Sequence, residues 1–315
     1  MISSRFPDGQ TDREGRARVK WIKKGRIFEP QAFRGWFTSH AALPVVEDRG
    51  DHHRVYFSGR DENKRARIGF FEIDLERPER VLRVSTAPVL EPGPRGAFDD
   101  SGVTSSCLVV HEGRRYHYFT GWSLGVTVPF YLAAGMAIEA GDGSWQRLSA
   151  PVLERCEADP YLTASPWVRV EGGTWRAWYV SGTRWDGDAP KHYYNVRHAV
   201  SRDGLHWERR GTICIDYASP AEHALSRPCV LKDGPRYRMW YAYRGAAYRI
   251  GYAESMDGLL WERRDREAGI EPSDSGWDAE MVAYPCVFDH RGLRYMMYNG
   301  NGYGETGIGL AVLDA

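Results

Sequence analysis

The sequence predicts an all-β fold, a five-bladed β-propeller with four antiparallel strands per blade. Three observations predict it: a five-fold internal repeat, a turn signature inside the repeat, and an N-terminal segment matching the strand missing at the other end. The repeat is anchored by a shared step at Leu43-Pro44-Val45, Ser105-Ser106-Cys107, Ser165-Pro166-Trp167, Arg227-Pro228-Cys229 and Tyr284-Pro285-Cys286. An aromatic stands 13 residues beyond the middle of each step, at Phe57, Phe119, Tyr179, Tyr241 and Tyr298, and the units recur every 57 to 62 residues. Equal offsets of this kind fix two paired strands and the hairpin between them.

Each unit can then be read strand by strand. The first strand carries the step, and a Pro there suits an edge strand lining a central channel, where a missing N–H breaks no ladder bond. Turns such as HEGRR, EGGTW, KDGPR and DHRGL lead into the second strand. The third strands are RIGFFEI, AAGMAIE, VRHAVS, RIGYAES and GIGLAVL. Asp203-Gly204-Leu205-His206-Trp207 and Asp257-Gly258-Leu259-Leu260-Trp261 announce fourth strands, with a looser copy at Asp142-Gly143-Ser144-Trp145. These elements read as structural, an Asp-Gly turn with a Trp packed between sheets. The fifth unit stops after its third strand, whereas residues 19–27 match residues 205–213 in register. The N-terminal strand is therefore expected to complete blade 5 and close the ring, protecting open strand edges. Residues 1–16 are expected to be a flexible leader, and 17–315 a single domain.

Composition narrows the function classes. Among 315 residues, 42 basic and 42 acidic side chains balance, which removes the electrostatic argument for nucleic acid or an anionic membrane surface. No apolar run approaches the ~18 residues of a transmembrane helix, and the N-terminus lacks the apolar core of a secretory signal. Five cysteines without metal-type spacing argue against a disulfide scaffold, so a reducing, cytoplasmic location is expected. Cys107, Cys229 and Cys286 share one repeat position and read as small core residues. Histidines 192, 198, 206 and 223 lack ligand spacing, so neither a metal nor a cofactor is expected.

In a propeller the residues before each step converge on the axis. That stretch holds Asp99 and Asp100, Glu157 and Asp159, Glu222, and Asp278 and Glu280, while the first unit has Ser39 and His40. Acids gathered in one well would repel, raise at least one pKa, and so supply a general acid beside a general base. The alternative is that they cap turns. A second ring follows the second-strand aromatics: Arg60 and Asp61, Trp122, Arg184 and Trp185, Arg244, and Asn299 with Asn301. Trp122 and Trp185 could stack on a sugar face or pack between blades, while Arg and Asn would bind hydroxyls or a carboxylate. Arg227 and Tyr284, at the step itself, are expected to face the substrate. Loops after the second strands of units 2 and 3 (SLGVTVPFY and TRWDGDAPKHYY) would frame the site.

With these features, and with S-x-D-G-x-x-W in two units, the sequence resembles the five-bladed propeller glycosidases of glycoside hydrolase families 43, 32, 62, 68 and 130. Asp159-Pro160-Tyr161-Leu162-Thr163-Ala164-Ser165-Pro166, Trp277-Asp278-Ala279-Glu280-Met281 and Tyr298-Asn299-Gly300-Asn301-Gly302-Tyr303-Gly304 are similar to family-43-like proteins of bacterial surface-polysaccharide gene clusters. The resemblance implies Glu222 as general acid and Asp159 as the residue that orients substrate and tunes its pKa. The family's blade 1 base has no match, since His40 lies near that place, which leaves Asp100 or Glu280 for the base. Two functions follow as expectations. One is a carbohydrate-active enzyme cleaving or rearranging a glycosidic or glycoside-like bond by carboxylate catalysis. The other is a non-catalytic propeller binding a glycan or nucleotide-sugar in a polysaccharide or specialised-metabolite pathway. Either takes a carbohydrate or glycoside-like small molecule. Arg60, Arg227 and Arg244 hint at an anionic one, a structural ion pair being the equal alternative for each.

Overall fold

The computed structural model describes residues 19–33, 35–187 and 191–314. The expected leader, residues 1–16, lies outside them, as do residues 188–190 of the unit 3 loop. In chain order the strands are β1 (Trp21–Phe28), β2 (Ser39–Asp48), β3 (His53–Arg60), β4 (Ala66–Ile73), β5 (Val81–Val84), β6 (Gly102–His111), β7 (Arg114–Leu124), β8 (Phe130–Glu139) and β9 (Trp145–Arg147). They continue as β10 (Thr163–Glu171), β11 (Thr174–Asp186), β12 (Lys191–Ser201), β13 (Trp207–Ile215), β14 (Ala224–Asp233), β15 (Arg236–Arg244), β16 (Tyr248–Ser255), β17 (Glu262–Arg263), β18 (Ala283–His290), β19 (Leu293–Asn299) and β20 (Ile308–Leu313). No helix among the described residues is long and apolar enough to cross a membrane.

The strands pair as antiparallel meanders, β2–β5, β6–β9, β10–β13 and β14–β17, the last two joined by a single parallel bridge between Tyr194 and Ala224. In the remaining sheet β18, β19 and β20 are followed by β1, which pairs antiparallel with β20 (Trp21 opposite Leu313, Lys23 opposite Ala311). The first strands β2, β6, β10, β14 and β18 pack side by side in sequence, and β18 packs against β2.

Apolar faces of neighbouring sheets meet in separate buried clusters. Phe28, Phe57, Phe71, Met297 and Leu310 fill the contact between the last sheet and the first. Tyr56, Phe70, Val103 and Phe119 fill the next, and Met136, Val168, Trp175 and Tyr179 the one after. Cys107, Cys229 and Cys286 lie buried within these layers, as the sequence predicts. The Asp-Gly turns are built alike. Asp203 Oδ1 accepts the N–H groups of Leu205 and His206, and Trp207 Nε1 donates to the Gly204 carbonyl at 3.1 Å. Asp257, Leu259, Leu260, Trp261 and Gly258 repeat the pattern. Each glycine carbonyl also accepts a bond from the preceding sheet, Tyr118 Oη at 2.9 Å for Gly204 and Trp178 Nε1 at 2.8 Å for Gly258. Gly204 has φ +75°, and a Cβ there would lie 2.6 Å from Tyr118 Oη, so only glycine fits.

The shared step is a β-bulge. The register skips from Ala42 to Val45, Ala164 to Trp167, Ser226 to Cys229 and Ala283 to Cys286. Leu43, Ser165, Arg227 and Tyr284, each just before the Pro, adopt φ of +57°, +45°, +54° and +55°. Non-glycine residues rarely hold this conformation, and it persists only where the surroundings over-determine it. A bulge re-aims side chains, and here it turns Leu43, Ser165 and Tyr284 into one cavity.

Candidate functional site

The cavity has two adjoining lobes of about 210 and 280 Å³ that share Leu43, Thr104, Trp122 and Tyr284. The first lobe is walled by Phe130, Leu162, Ser165, His192, Tyr194, Ser226 and Tyr248. The second adds Ser58, Arg60, Lys64 and Tyr303. Tyr194 and Tyr248 share a hydroxyl–hydroxyl bond of 2.6 Å. The Arg244 guanidinium lies 5.6 Å from the Tyr248 ring centroid and 5.4 Å from that of Tyr303. Neither Arg60 nor Arg244 has an ion-pair partner among the described residues. Trp185 packs edge-on to Phe130 and His192 at the wall of the first lobe. Arg60, Trp122 and Tyr284 line this cavity together, with Arg244 and Trp185 against its lining rings.

Electrostatically the well is one-sided. His223 is held down at about 4 by burial, then by the charges of Lys191 and Arg244. His40, whose Nδ1 is 2.9 Å from Ser39 Oγ, is lowered to about 4 by burial and by Arg60. His192 is lowered by burial, Arg244 and Lys191. All three imidazoles stay neutral at neutral pH; of them His192 lines the cavity, where it can hydrogen-bond hydroxyls, and the fixed charge on the lining belongs to Arg60 and Lys64, with Arg244 against the Tyr248 and Tyr303 rings. No carboxylate stands among the described residues lining either lobe.

None of the expected acids is among the described residues lining either lobe. Buried Asp159 accepts Tyr179 Oη at 2.9 Å and Arg209 Nη1 at 3.0 Å, with Arg197 Nη1 at 3.5 Å. Glu222 is held by both terminal nitrogens of Arg263, at 2.8 and 3.2 Å, and caps the Ala218 N–H. Asp278 takes Lys23 Nζ at 2.6 Å and Tyr298 Oη at 3.0 Å, and Asp99 lies 3.2 Å from Arg147. Lys23, Arg147, Arg209 and Arg263 all lie on the fourth strand of the same sheet, two residues after Trp21, Trp145, Trp207 and Trp261. These pairs are ionic clasps binding the entry turn to the outermost strand in four of the sheets; the first sheet has none among the described residues. Asp100 is taken by the Gly96 N–H and the Ser101 hydroxyl. Glu280 is exposed; its own N–H donates to Asn301 Oδ1.

Three expected binding residues are also structural. Arg227 is 1% exposed and donates to the carbonyls of Pro44, at 2.7 Å, and Ser106, tying three first strands together. Fully buried Asn299 donates to the carbonyls of Ala41 and Gly307 and accepts the Leu43 N–H, stitching the last sheet to the first. Asp61 is occupied by Arg67 and by the N–H groups of Asn63 and Arg65 in its own hairpin. Sequence reasoning passed over Thr104, Lys64, Tyr248 and Tyr303. Tyr303 follows the second-strand aromatic of its unit, Tyr298, as Trp122 follows Phe119, and that parallel is a usable signal.

Two mycobacterial proteins are similar to this chain along nearly its whole length. The uncharacterized protein MT1551 of Mycobacterium tuberculosis (strain CDC 1551 / Oshkosh) is 46% identical over 298 residues, covering 94% of this chain and all of that protein. The uncharacterized protein Rv1502 of strain ATCC 25618 / H37Rv matches with the same identity and coverage. The chain belongs to the family of these mycobacterial proteins. No family model matches it. Among solved structures, a glycoside hydrolase superposes with a TM-score of 0.73 at 19% identity, over 93% of this chain and 92% of that one. A thermostable family-43 glycoside hydrolase gives 0.65 at 14% identity, over 88% and 89% of the two chains. An exo-1,5-alpha-L-arabinanase from a bovine ruminal metagenomic library gives 0.61 at 14%, over 89% and 95%. At these identities the likeness is one of fold: the chain has the fold of the family-43-like glycoside hydrolases, in line with the resemblance seen in its sequence.

Proposed function

We propose that residues 17–315 form one five-bladed propeller closed by β1, whose central well binds a carbohydrate bearing a negative charge without cleaving it. The β1–β20 pairing and the packing of β18 on β2 support the closure. The glycoside hydrolases among the structural neighbours support a sugar as ligand. One observation carries the rest: the well presents aromatic rings, hydroxyls, the neutral imidazole of His192 and, in Arg60 and Lys64, cations without ion-pair partners among the described residues, and no carboxylate among its described lining residues. Glycoside hydrolysis by the usual route needs two carboxylates, about 5–5.5 Å apart for retention or about 6.5–9.5 Å for inversion. Asp159 and Glu222, the acids best placed by sequence for those roles, are locked in the clasps. Rings such as Trp122 and Tyr284 offer faces to a sugar, and Arg60 can take a carboxylate or phosphate in a fork. All five cysteines are free thiols, which fits a reducing cytoplasm.

The test is calorimetric titration with oligosaccharides ending in a uronic acid, beside their neutral counterparts, each mixture also assayed for released reducing ends. The expected result is saturable binding of the charged glycans, at least tenfold weaker binding of the neutral ones, and no release. Turnover that disappears in Glu280→Gln would establish the hydrolase instead, through an exposed carboxylate that has no ion-pair partner among the described residues.

A further inference from the structure

A second cluster of ligating atoms lies away from the well, at the far end of the same strands. Asp48 and His53 face each other across the β2–β3 hairpin, and His290 ends β18 in the last sheet. Asp48 Oδ1 accepts the Gly50 N–H at 2.7 Å. That leaves Oδ2 facing His290 Nδ1 at 3.4 Å and His53 Nε2 at 3.9 Å. The two imidazole rings stand perpendicular, 4.5 Å apart, so their nitrogens approach that oxygen from different directions. His53 is only 3% exposed, yet its Nε2 has no hydrogen-bond partner. A buried polar atom without a partner is costly and calls for an explanation.

We infer that Asp48, His53 and His290 form a binding site for a divalent transition metal of the zinc type. Two imidazole nitrogens and one carboxylate oxygen are a zinc donor set, whereas calcium and magnesium take oxygen. The three atoms already lie within 4.8 Å of one another. Tetrahedral zinc, with bonds of about 2.0–2.1 Å, would bring them to about 3.3 Å apart, a shift that side-chain rotation supplies. Asp48 is exposed, so water can take the fourth position. Two ligands belong to the first sheet and one to the last, so the metal would clamp the two ends of the repeat. Separation in sequence hid the site: no His-x-x-x-His or similar spacing joins residues 48, 53 and 290.

The full chain, free of any affinity tag and stripped with a chelator, is titrated with zinc chloride in competition with a chromophoric chelator. One tight site per chain is expected. Asp48→Asn and His290→Ala should each weaken it at least tenfold while the circular dichroism stays that of wild type. His206→Ala, which removes an exposed imidazole, should leave it unchanged. Zinc should also raise the midpoint of thermal unfolding of wild type and not of His290→Ala. Equal zinc affinity in wild type, Asp48→Asn and His290→Ala, or the absence of a stoichiometric site, would overturn the assignment.

Discussion

Asp159→Asn separates a catalytic carboxylate from a structural one. The native side chain is fully buried, and it meets Arg209 and Arg197, whose side chains are 13% and 14% exposed. An amide keeps the shape but removes the charge, and leaves two largely buried guanidinium groups facing a neutral partner. Breaking a buried pair in this way costs about 3–5 kcal/mol. Each kcal/mol moves the midpoint of a large domain by about 2 °C, so thermal unfolding should occur about 6–10 °C lower. If unfolding proves irreversible, urea transitions read the same loss. Affinity for the charged glycan, titrated well below the new midpoint, should stay within about twofold, since Asp159 does not line the well. The reasoning fails if the midpoint of Asp159→Asn moves by less than a degree or two while binding or turnover collapses.

Three more predictions rest on the same geometry. Trp122→Ala takes away the ring shared by both lobes and should weaken glycan binding about tenfold, a loss of ~1.4 kcal/mol that is the order of one aromatic contact, with little change in stability; unchanged affinity in titration would rule out stacking on this ring. Arg227→Ala leaves the Pro44 and Ser106 carbonyls without their donor and opens a cavity, so the soluble yield and the unfolding midpoint should both fall steeply; a stable variant that has lost only binding would return Arg227 to the ligand. Finally, His117 is depressed to about 3 and His198 to about 4, each chiefly by burial. Between pH ~6.5 and ~4 the unfolded chain binds these protons and the folded chain does not, so stability must fall as pH drops through that window, by about 1.4 kcal/mol per pH unit for each histidine. Midpoints measured from pH 7 to 4 should show the decline, and His117→Gln should make it less steep by about 1.4 kcal/mol per pH unit, leaving the contribution of His198.

Much of the fold was legible because its cause is periodic. Equal offsets between the step and the second-strand aromatic leave one strand pairing, and the register of residues 19–27 with 205–213 points to the β1–β20 pairing. For the acids, position in the repeat does not report exposure. Asp99, Asp159 and Asp278 do precede their steps at matching places, but matching places in a repeat mark shared scaffolding as readily as shared chemistry. The sequence held the counter-signal: units with an acid there also carry a cation two residues after the fourth-strand Trp, and the first unit lacks that acid and that Trp–cation pair. Arg227 misled for a different reason. A bulge leaves its strand's ladder, and the partners of that guanidinium are backbone carbonyls of two other sheets, which no side-chain pattern reveals. Lys64, in the β3–β4 turn, Tyr248, at the start of β16, and Tyr303, after β19, lie in three different units and meet only when the sheets come together.

The balance of 42 basic and 42 acidic residues conceals a segregation that bears on function. Asp99, Asp159, Glu222 and Asp278 are drawn into the clasps, each paired with a cation of its own sheet, while Arg60 and Lys64 line the cavity without a carboxylate on its described lining. Burial keeps His40, His192 and His223 neutral, so the well's charge does not vary near neutral pH. Low-dielectric walls focus such a field, and a ligand of the wrong sign meets repulsion as well as missing bonds. A neutral sugar gains only the rings and hydroxyls, whereas a uronate or phosphate adds charge-assisted bonds worth roughly twice a neutral one each. On the function proposed above, the same frame that holds these acids in ion pairs would give the well its preference for an anion.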